Sequence, residues 1–223
     1  MEFTIENECL YKAILDVSKA VSVSTSFPIL SGIKIIATDH SLVLVGSDSD
    51  LFIEKMIPRV IDGKQVLQIF EQGSDVISAK YFSNLVKKLP GKIHIKVNKQ
   101  TATIRSGDIV TRLNGLNGEE YPKTPLVDEE KCAVIPSSKL IEVIKQTAFA
   151  VSSSENRPVL TAVNMTFNEN LFSCAATDSH RLALTELTIR SAIDGSCNVP
   201  RKSLTELAKL IQHDTGDTQI YYY

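Results

Sequence analysis

The chain has 223 residues, of which 43% are hydrophobic and 22% charged, and its formal net charge is −2. This composition is typical of a soluble globular protein, and no apolar run approaches the roughly 18 residues that cross a bilayer. The charge argues against a protein that is basic all over, but it allows positive side chains that gather on one face.

The sequence lacks the features of an exported protein. Its first residues show no basic segment followed by an apolar stretch, so no signal peptide is evident. Its cysteines are widely spaced, without a Cys-x-x-Cys pair, which favours free thiols in a cytoplasmic protein over disulfides or a zinc site. These cysteines are Cys9, Cys132, Cys174 and Cys197.

The sequence repeats itself at an offset of 130 residues. Ten of the 41 positions from 10 to 50 are identical to their counterparts, where roughly two or three would match by chance. Pro28 falls on Pro158, and Asp48-Ser49 falls on Asp178-Ser179. A repeat of this length predicts two domains that each bury a core, at 1–122 and 131–223, joined by a linker at 123–130.

Each copy is predicted to begin with a short strand and an amphipathic helix. In the first copy the strand covers 3–5, and the helix covers 8–21 with apolar residues at helical spacing. In the second copy the strand covers 132–135, and Ser137-Ser138 can cap a similar helix.

A serine-rich loop follows in each copy, and its proline, Pro28 or Pro158, is expected to begin an extended segment. Strands and a second helix come next. The predicted strands are 33–37, 41–47, 51–58 and 66–70 in the first copy, and 162–167, 171–176, 181–190 and a segment before Val199 in the second. The predicted second helices are 79–89 and 202–212.

The two copies are predicted to end differently. The first continues with strands at 92–97, 101–106 and 109–116, whereas the second has only one counterpart, at 219–223. We therefore expect the second domain to lack its last hairpin and to leave an unpaired strand edge. Two helices on antiparallel strands make each copy an α+β domain.

Lysines recur on the predicted helices at a spacing of seven, which places each pair on one helix face. Exposed lysines are common on any amphipathic helix, but here the pattern recurs across the repeat. It favours a basic surface for the phosphate backbone of a duplex. The lysines are Lys12, Lys19, Lys80, Lys87, Lys88, Lys202 and Lys209.

Ordered motifs give the chain a resemblance to a known family. They are Gly46-Ser47-Asp48-Ser49-Asp50, Ala176-Thr177-Asp178-Ser179-His180-Arg181-Leu182-Ala183 and Val199-Pro200-Arg201-Lys202-Ser203-Leu204. In this order they resemble the bacterial DNA polymerase III beta subunit, the replicative sliding clamp. The resemblance implies the DNA-clamp fold, in which basic helices line a ring of two protomers around duplex DNA.

The resemblance also implies partners and sites. It implies a non-catalytic processivity subunit, without a metal or cofactor, that binds the polymerase III catalytic subunit, clamp loader and repair proteins through short linear motifs. Its peptide cleft would comprise Leu160, Thr177, Ser179, His180, Arg181 and Leu182. Its DNA-binding residues would be Lys80, Arg157, Arg201 and Lys202, to which the helix pattern adds Lys12, Lys87, Lys88 and Lys209.

Two departures from the family shape the hypotheses. Ser24 stands where the family usually has an arginine directed at DNA, and a third domain is absent from these 223 residues. We therefore expect no homodimeric ring from this chain alone, and the alternative hypothesis is a truncated relative that only binds peptides. A metal-dependent enzyme built on Asp48 and Asp50 is a third hypothesis, which the lack of a phosphate loop or nucleophile elbow disfavours.

Overall fold

The computed structural model describes residues 1–22, 27–48, 51–123, 132–154 and 156–221. The chain divides into two compact units, Met1–Thr124 and Pro125–Tyr223, which we call unit 1 and unit 2. Each unit contains buried apolar side chains from both its helices and its strands. Both units are therefore α+β, as the sequence predicted.

Unit 1 has two helices and a series of antiparallel strands. The helices are α1 (Asn7–Ser18) and α2 (Ala79–Val86). The strands are β1 (Glu2–Glu6), β2 (Gly32–Ala37), β3 (Ser41–Ser47), β4 (Phe52–Pro58), β5 (Val60–Ile61), β6 (Lys64–Gln65), β7 (Leu67–Glu71), β8 (Gly73–Ser78), β9 (Lys92–Asn98), β10 (Thr101–Ser106) and β11 (Ile109–Leu116). Nine of them form one sheet in the order β4-β3-β2-β8-β11-β10-β9-β1-β7, while β5 and β6 pair with each other.

The sheet of unit 1 narrows at its centre. There β8 and β11 pair only through Ile77 with Gly115 and Val76 with Leu116. A Cβ atom at position 115 would lie 2.9 Å from the Val76 carbonyl oxygen, a distance that side chains do not tolerate. The absence of a side chain at Gly115 therefore allows the two halves of the sheet to meet.

The predicted apolar helix faces point into the core of unit 1. Leu10, Ile14 and Val17 of α1 are fully buried, as are Phe82 and Val86 of α2. Burial of a large apolar side chain contributes about 1.5–3 kcal/mol. These faces therefore hold both helices against the sheet.

Unit 2 repeats the arrangement with fewer strands. Its helices are α3 (Ser137–Thr147) and α4 (Arg201–Leu210). Its strands are β12 (Ala133–Pro136), β13 (Ala162–Asn168), β14 (Leu171–Thr177), β15 (Leu182–Thr188), β16 (Arg190–Ser191), β17 (Gly195–Pro200) and β18 (Asp217–Ile220). They form a four-stranded sheet, β15-β14-β13-β17, and a three-stranded sheet, β16-β12-β18, both antiparallel. Phe167 and Phe172 stack in the core with ring centroids 4.9 Å apart.

Several local predictions were wrong. Pro28 and Pro158 begin short 3₁₀ helices, Pro28–Ser31 and Pro158–Thr161, rather than extended segments, because the fixed φ of proline also suits the first residue of a helical turn. Ser137 does not cap α3. It lies inside the helix, where its hydroxyl is 2.9 Å from the Thr218 hydroxyl.

Element boundaries also differ from the predictions. Helix α1 ends at Ser18 rather than at 21, and the Ser18 hydroxyl donates to the Ile14 carbonyl at 2.6 Å. The sequence analysis missed β5, β6, β8 and β16. The last described strand, β18, begins at Asp217, two residues earlier than the predicted strand at 219–223, and it pairs with β12. Tyr222 and Tyr223 of the predicted terminal strand lie outside the described residues.

Candidate functional site

The two copies share a turn that is organised by an aspartate. Asp48 Oδ1 accepts from the Leu51 backbone N–H at 2.9 Å, and Asp178 Oδ1 accepts from the equivalent Arg181 N–H at 3.0 Å. Side-chain acceptors of this kind stabilise turns locally. The aspartates at this repeat position therefore have a structural use in both units. Asp50, the second carboxylate of the hypothetical metal motif, lies outside the described residues.

The turn of unit 2 joins β14 to β15. Thr177 Oγ1 donates to the Arg181 carbonyl at 2.7 Å and accepts from the Ser179 N–H at 3.1 Å. Ser179 has a φ of 77°, in the left-handed region. Backbone hydrogen bonds from His180, then from Arg181, and the charge of Arg181 hold the pKa of Asp178 below its usual range.

One arginine within this turn and one outside it donate hydrogen bonds to its side chains. The Arg181 guanidinium donates to Asp178 Oδ2 at 3.0 Å and lies 5.6 Å from the centroid of the Phe149 ring. Arg157 donates to the Ser179 hydroxyl at 3.4 Å. Arg157, which the family resemblance assigned to DNA, thus lies beside the predicted peptide-binding residues.

A groove of about 300 Å³ lies next to the turn, and we call it the unit 2 groove. Three of the six predicted cleft residues line it: Leu160, Thr177 and Leu182. Ser179, His180 and Arg181 are exposed on the turn and are not part of its lining.

Sequence reasoning missed the other lining residues: Val159, Ala162, Asn164, Ala175, Ala176 and Asn198. Most of them share one face of the β15-β14-β13-β17 sheet with Leu182, through the registers Asn164–Ala175, Asn164–Asn198 and Thr177–Leu182. The alternation of side chains along a strand could have placed them on one face, but only strand pairing reveals which strands are neighbours.

The helices of unit 1 and the two residues that follow α2 carry exposed cations. Lys12, Lys80, Lys87 and Lys88 are exposed, and no carboxylate lies within ion-pair distance of them in the described ranges. Lys80 also lines a serine-rich groove between α1 and α2. These exposed lysines are among those from which the sequence analysis predicted a basic surface.

The helices of unit 2 carry a more balanced charge. Arg201, Lys209 and also Lys145 line a groove between α3 and α4. Lys209 pairs with Glu206 at 2.7 Å, and Lys139 pairs with Glu142 at 3.0 Å. Lys202 is exposed on the first turn of α4.

Among the described residues, no group of three or more His, Cys, Asp or Glu side chains is placed to hold a metal ion. All four cysteines carry free thiols, and burial raises the pKa of Cys174 to about 12. Across the described ranges, no helix is long and apolar enough to cross a bilayer.

Comparison with known proteins matches both units to one family. Residues 1–125 match the model of the DNA polymerase III beta subunit, N-terminal domain, and residues 134–222 match that of the central domain. The beta sliding clamp of Bacillus subtilis (strain 168) is 46% identical over 215 residues, covering 95% of this chain and 57% of the relative. The beta sliding clamp of Staphylococcus aureus (strain Mu50 / ATCC 700699) is 41% identical over 225 residues, covering 100% and 60%.

Solved structures agree with these matches. The crystal structure of the DNA polymerase sliding clamp from Bacillus subtilis superposes with a TM-score of 0.97 at 42% identity, covering 100% of this chain and 60% of that one. A sliding clamp from Pseudomonas aeruginosa, solved bound to griselimycin, superposes with a TM-score of 0.87 at 28% identity, covering 99% and 59%.

The α+β architecture is therefore the DNA-clamp fold. The chain belongs to the DNA polymerase III beta subunit family. It spans 57% and 60% of the length of the two curated relatives above.

Proposed function

We propose that this chain forms the N-terminal and central domains of a DNA sliding clamp, a non-catalytic subunit that tethers a replicative polymerase to duplex DNA. The observation that carries the proposal is the match of both units, in order, to the two domain models of the clamp family. The basic helix surfaces and the unit 2 groove supply it with two binding sites.

DNA contact is proposed for the exposed cations of the helices. They are Lys12, Lys80, Lys87 and Lys88 in unit 1 and Arg201, Lys202 and Lys209 in unit 2, with Arg157 beside the turn of unit 2. Lysine and arginine side chains that contact only phosphates do not distinguish between bases, so DNA binding would be independent of base sequence. The cations without carboxylate partners in unit 1 would contribute most, because Lys209 already pairs with Glu206.

The salt dependence of duplex binding tests this role. Each phosphate contact releases counterions, so Lys80→Ala and Lys87→Ala should each reduce the slope of log affinity against log salt by about one. Lys64→Ala is the matched control, because Lys64 is exposed on β6 and already pairs with a carboxylate, that of Glu6, at 3.6 Å. Fluorescence anisotropy of a labelled duplex measures the slopes. If all three variants showed the same slope, the lysines on and next to the helices would not be the residues that contact DNA.

Peptide binding is proposed for the unit 2 groove and the adjoining turn. Leu160, Thr177 and Leu182 would form the pocket, while Ser179, His180 and Arg181 would flank it. Leu182 is 70% exposed and Val159 is 61% exposed, so a ligand could bury both. Short linear motifs of the polymerase III catalytic subunit, the clamp loader and repair proteins are the proposed occupants.

A pair of leucines on one strand tests this second site. Leu182→Ala should weaken binding of a labelled peptide from the polymerase III catalytic subunit about tenfold or more, because a buried apolar anchor is lost. Leu184→Ala is the control, because Leu184 is 61% exposed on the same strand but does not line the groove. Isothermal titration measures both affinities. Equal losses would show that the peptide binds elsewhere.

A further inference from the structure

The lining of the unit 2 groove is apolar apart from three side chains, Asn164, Thr177 and Asn198. No charged side chain is among the residues that line it. Any directional recognition within the groove therefore depends on these three groups, and their existing hydrogen bonds decide which of them is available to a ligand.

Thr177 is already occupied by the turn. Its hydroxyl donates to the Arg181 carbonyl and accepts from the Ser179 N–H. A hydroxyl has a single proton to donate. Thr177 therefore has no donor left to offer to a ligand.

Asn164 is occupied in the same way. Its amide nitrogen donates to Ser196 Oγ at 3.0 Å and to Asn198 Oδ1 at 3.1 Å, which uses both of its protons. Its Oδ1 accepts from Thr166 Oγ1 at 3.0 Å. The carboxamide of Asn164 is thereby fixed in one orientation across β13 and β17.

Asn198 is the last member of this hydrogen-bond network, and only its Oδ1 takes part in it. Its Oδ1 faces Asn164, so its Nδ2 carries the two protons on the other side of the carboxamide. Within the described parts of the chain, that nitrogen has no hydrogen-bond partner, and the residue is exposed. Asn198 is therefore the lining residue that presents an oriented, unused donor.

We propose that Asn198 is a specificity-determining residue of the unit 2 groove, an inference that rests on the peptide-binding role proposed above. Its Nδ2 donates to a carboxylate side chain that neighbours the apolar anchor of a bound, extended peptide. A carboxylate fits because hydrogen bonds to a charged acceptor are the stronger ones, no acidic side chain lines the groove, and exposed Arg157 lies by the adjoining turn.

Asn198→Asp provides a test that preserves the network. The aspartate still accepts from Asn164, but it replaces the two free protons with an acceptor and a negative charge. A random heptapeptide library displayed on phage is selected against the intact chain and against this variant. Asn168→Asp is the matched control, because Asn168 lies on the same sheet face at the far end of β13.

The intact chain and the control should both enrich peptides in which Asp or Glu neighbours an apolar residue. Asn198→Asp should instead enrich Lys or Arg at that position, and it should bind a synthetic acidic peptide from the first selection at least tenfold more weakly. If all three selections enriched the same residues next to the apolar anchor, the role of Asn198 would be wrong, while the proposal of a peptide site would be unaffected. Selections that Leu182→Ser leaves unchanged would overturn the peptide site itself, and this inference with it.

Discussion

At the scale of single residues, Asp75 on β8 is a buried carboxylate that destabilises the folded state of unit 1. Only 2% of its surface is exposed, Oδ1 accepts from the Val76 N–H at 2.8 Å, and Oδ2 has no partner among the described residues. Burial raises the pKa of this carboxyl above its ordinary value. The backbone of Gly115 packs against it, since a Cβ there would lie 2.9 Å from Oδ1.

Asp75→Asn should therefore stabilise the protein at neutral pH, by about 1–3 kcal/mol. Well below the ordinary aspartate pKa of about 3.9 the carboxyl is protonated in both the folded and the unfolded chain, so it contributes nothing there. As the pH rises, the unfolded chain ionises first, and wild-type stability falls until the pH passes the raised folded-state pKa. The advantage of the variant should thus grow from acid to neutral pH.

Urea unfolding across this pH range measures the difference in free energy. Asp108→Asn, at an exposed position in the β10–β11 turn, should show little difference at any pH. An advantage of Asp75→Asn that is independent of pH would contradict the explanation from a buried charge.

At the scale of elements, Asn7 joins the start of α1 to the end of α2. Its amide nitrogen donates to the Val86 carbonyl at 2.7 Å and to the Leu89 carbonyl at 2.5 Å. The last carbonyls of a helix have no partners within the helix. A side chain that is 79 residues away along the sequence from Val86 thus terminates α2, which explains why regular helix ends at Val86 although the apolar spacing continues to Leu89.

Asn7→Ala should lower the free energy of unfolding by about 1–3 kcal/mol, because it leaves the partly buried carbonyls of Val86 and Leu89 without their donor. Asn84→Ala is the matched control, since Asn84 is exposed on α2 itself. Urea denaturation compares the two variants. Similar losses for both would indicate that Asn7 matters no more than an ordinary surface residue.

At the scale of the whole molecule, the net charge of −2 conceals an uneven distribution. Helix α2 carries Lys80 and is followed by Lys87 and Lys88 with no carboxylate of its own, whereas Asp16, Glu142 and Glu206 pair with lysines on or next to the other helices. The sequence predicted basic helices throughout. The ion pairs show that α2 has the least compensated charge, so the salt dependence proposed for DNA binding should be most sensitive there.

Much of the architecture was already determined by the sequence. The 130-residue repeat predicted two related α+β domains, and the apolar spacing of residues such as Leu10 and Ile14 predicted the helix faces that the core buries. These features are readable because side-chain periodicity along a helix or strand is local. The end of α2 and strand β16 were missed because distant partners decide them, Asn7 for the helix and β12 for the strand. Strands β5 and β6 were missed because two residues each are too few to show a periodicity.

The composition of the candidate groove was decided only by tertiary structure. The resemblance to the clamp family pointed to Leu160, Thr177 and Leu182, which the fold brings together. It gave no reason to consider Asn164 and Asn198, which are 34 residues apart and hydrogen-bonded only because β13 pairs with β17. Strand register depends on long-range pairing, and that pairing determines which donors are used up and which, like that of Asn198, are left for a ligand.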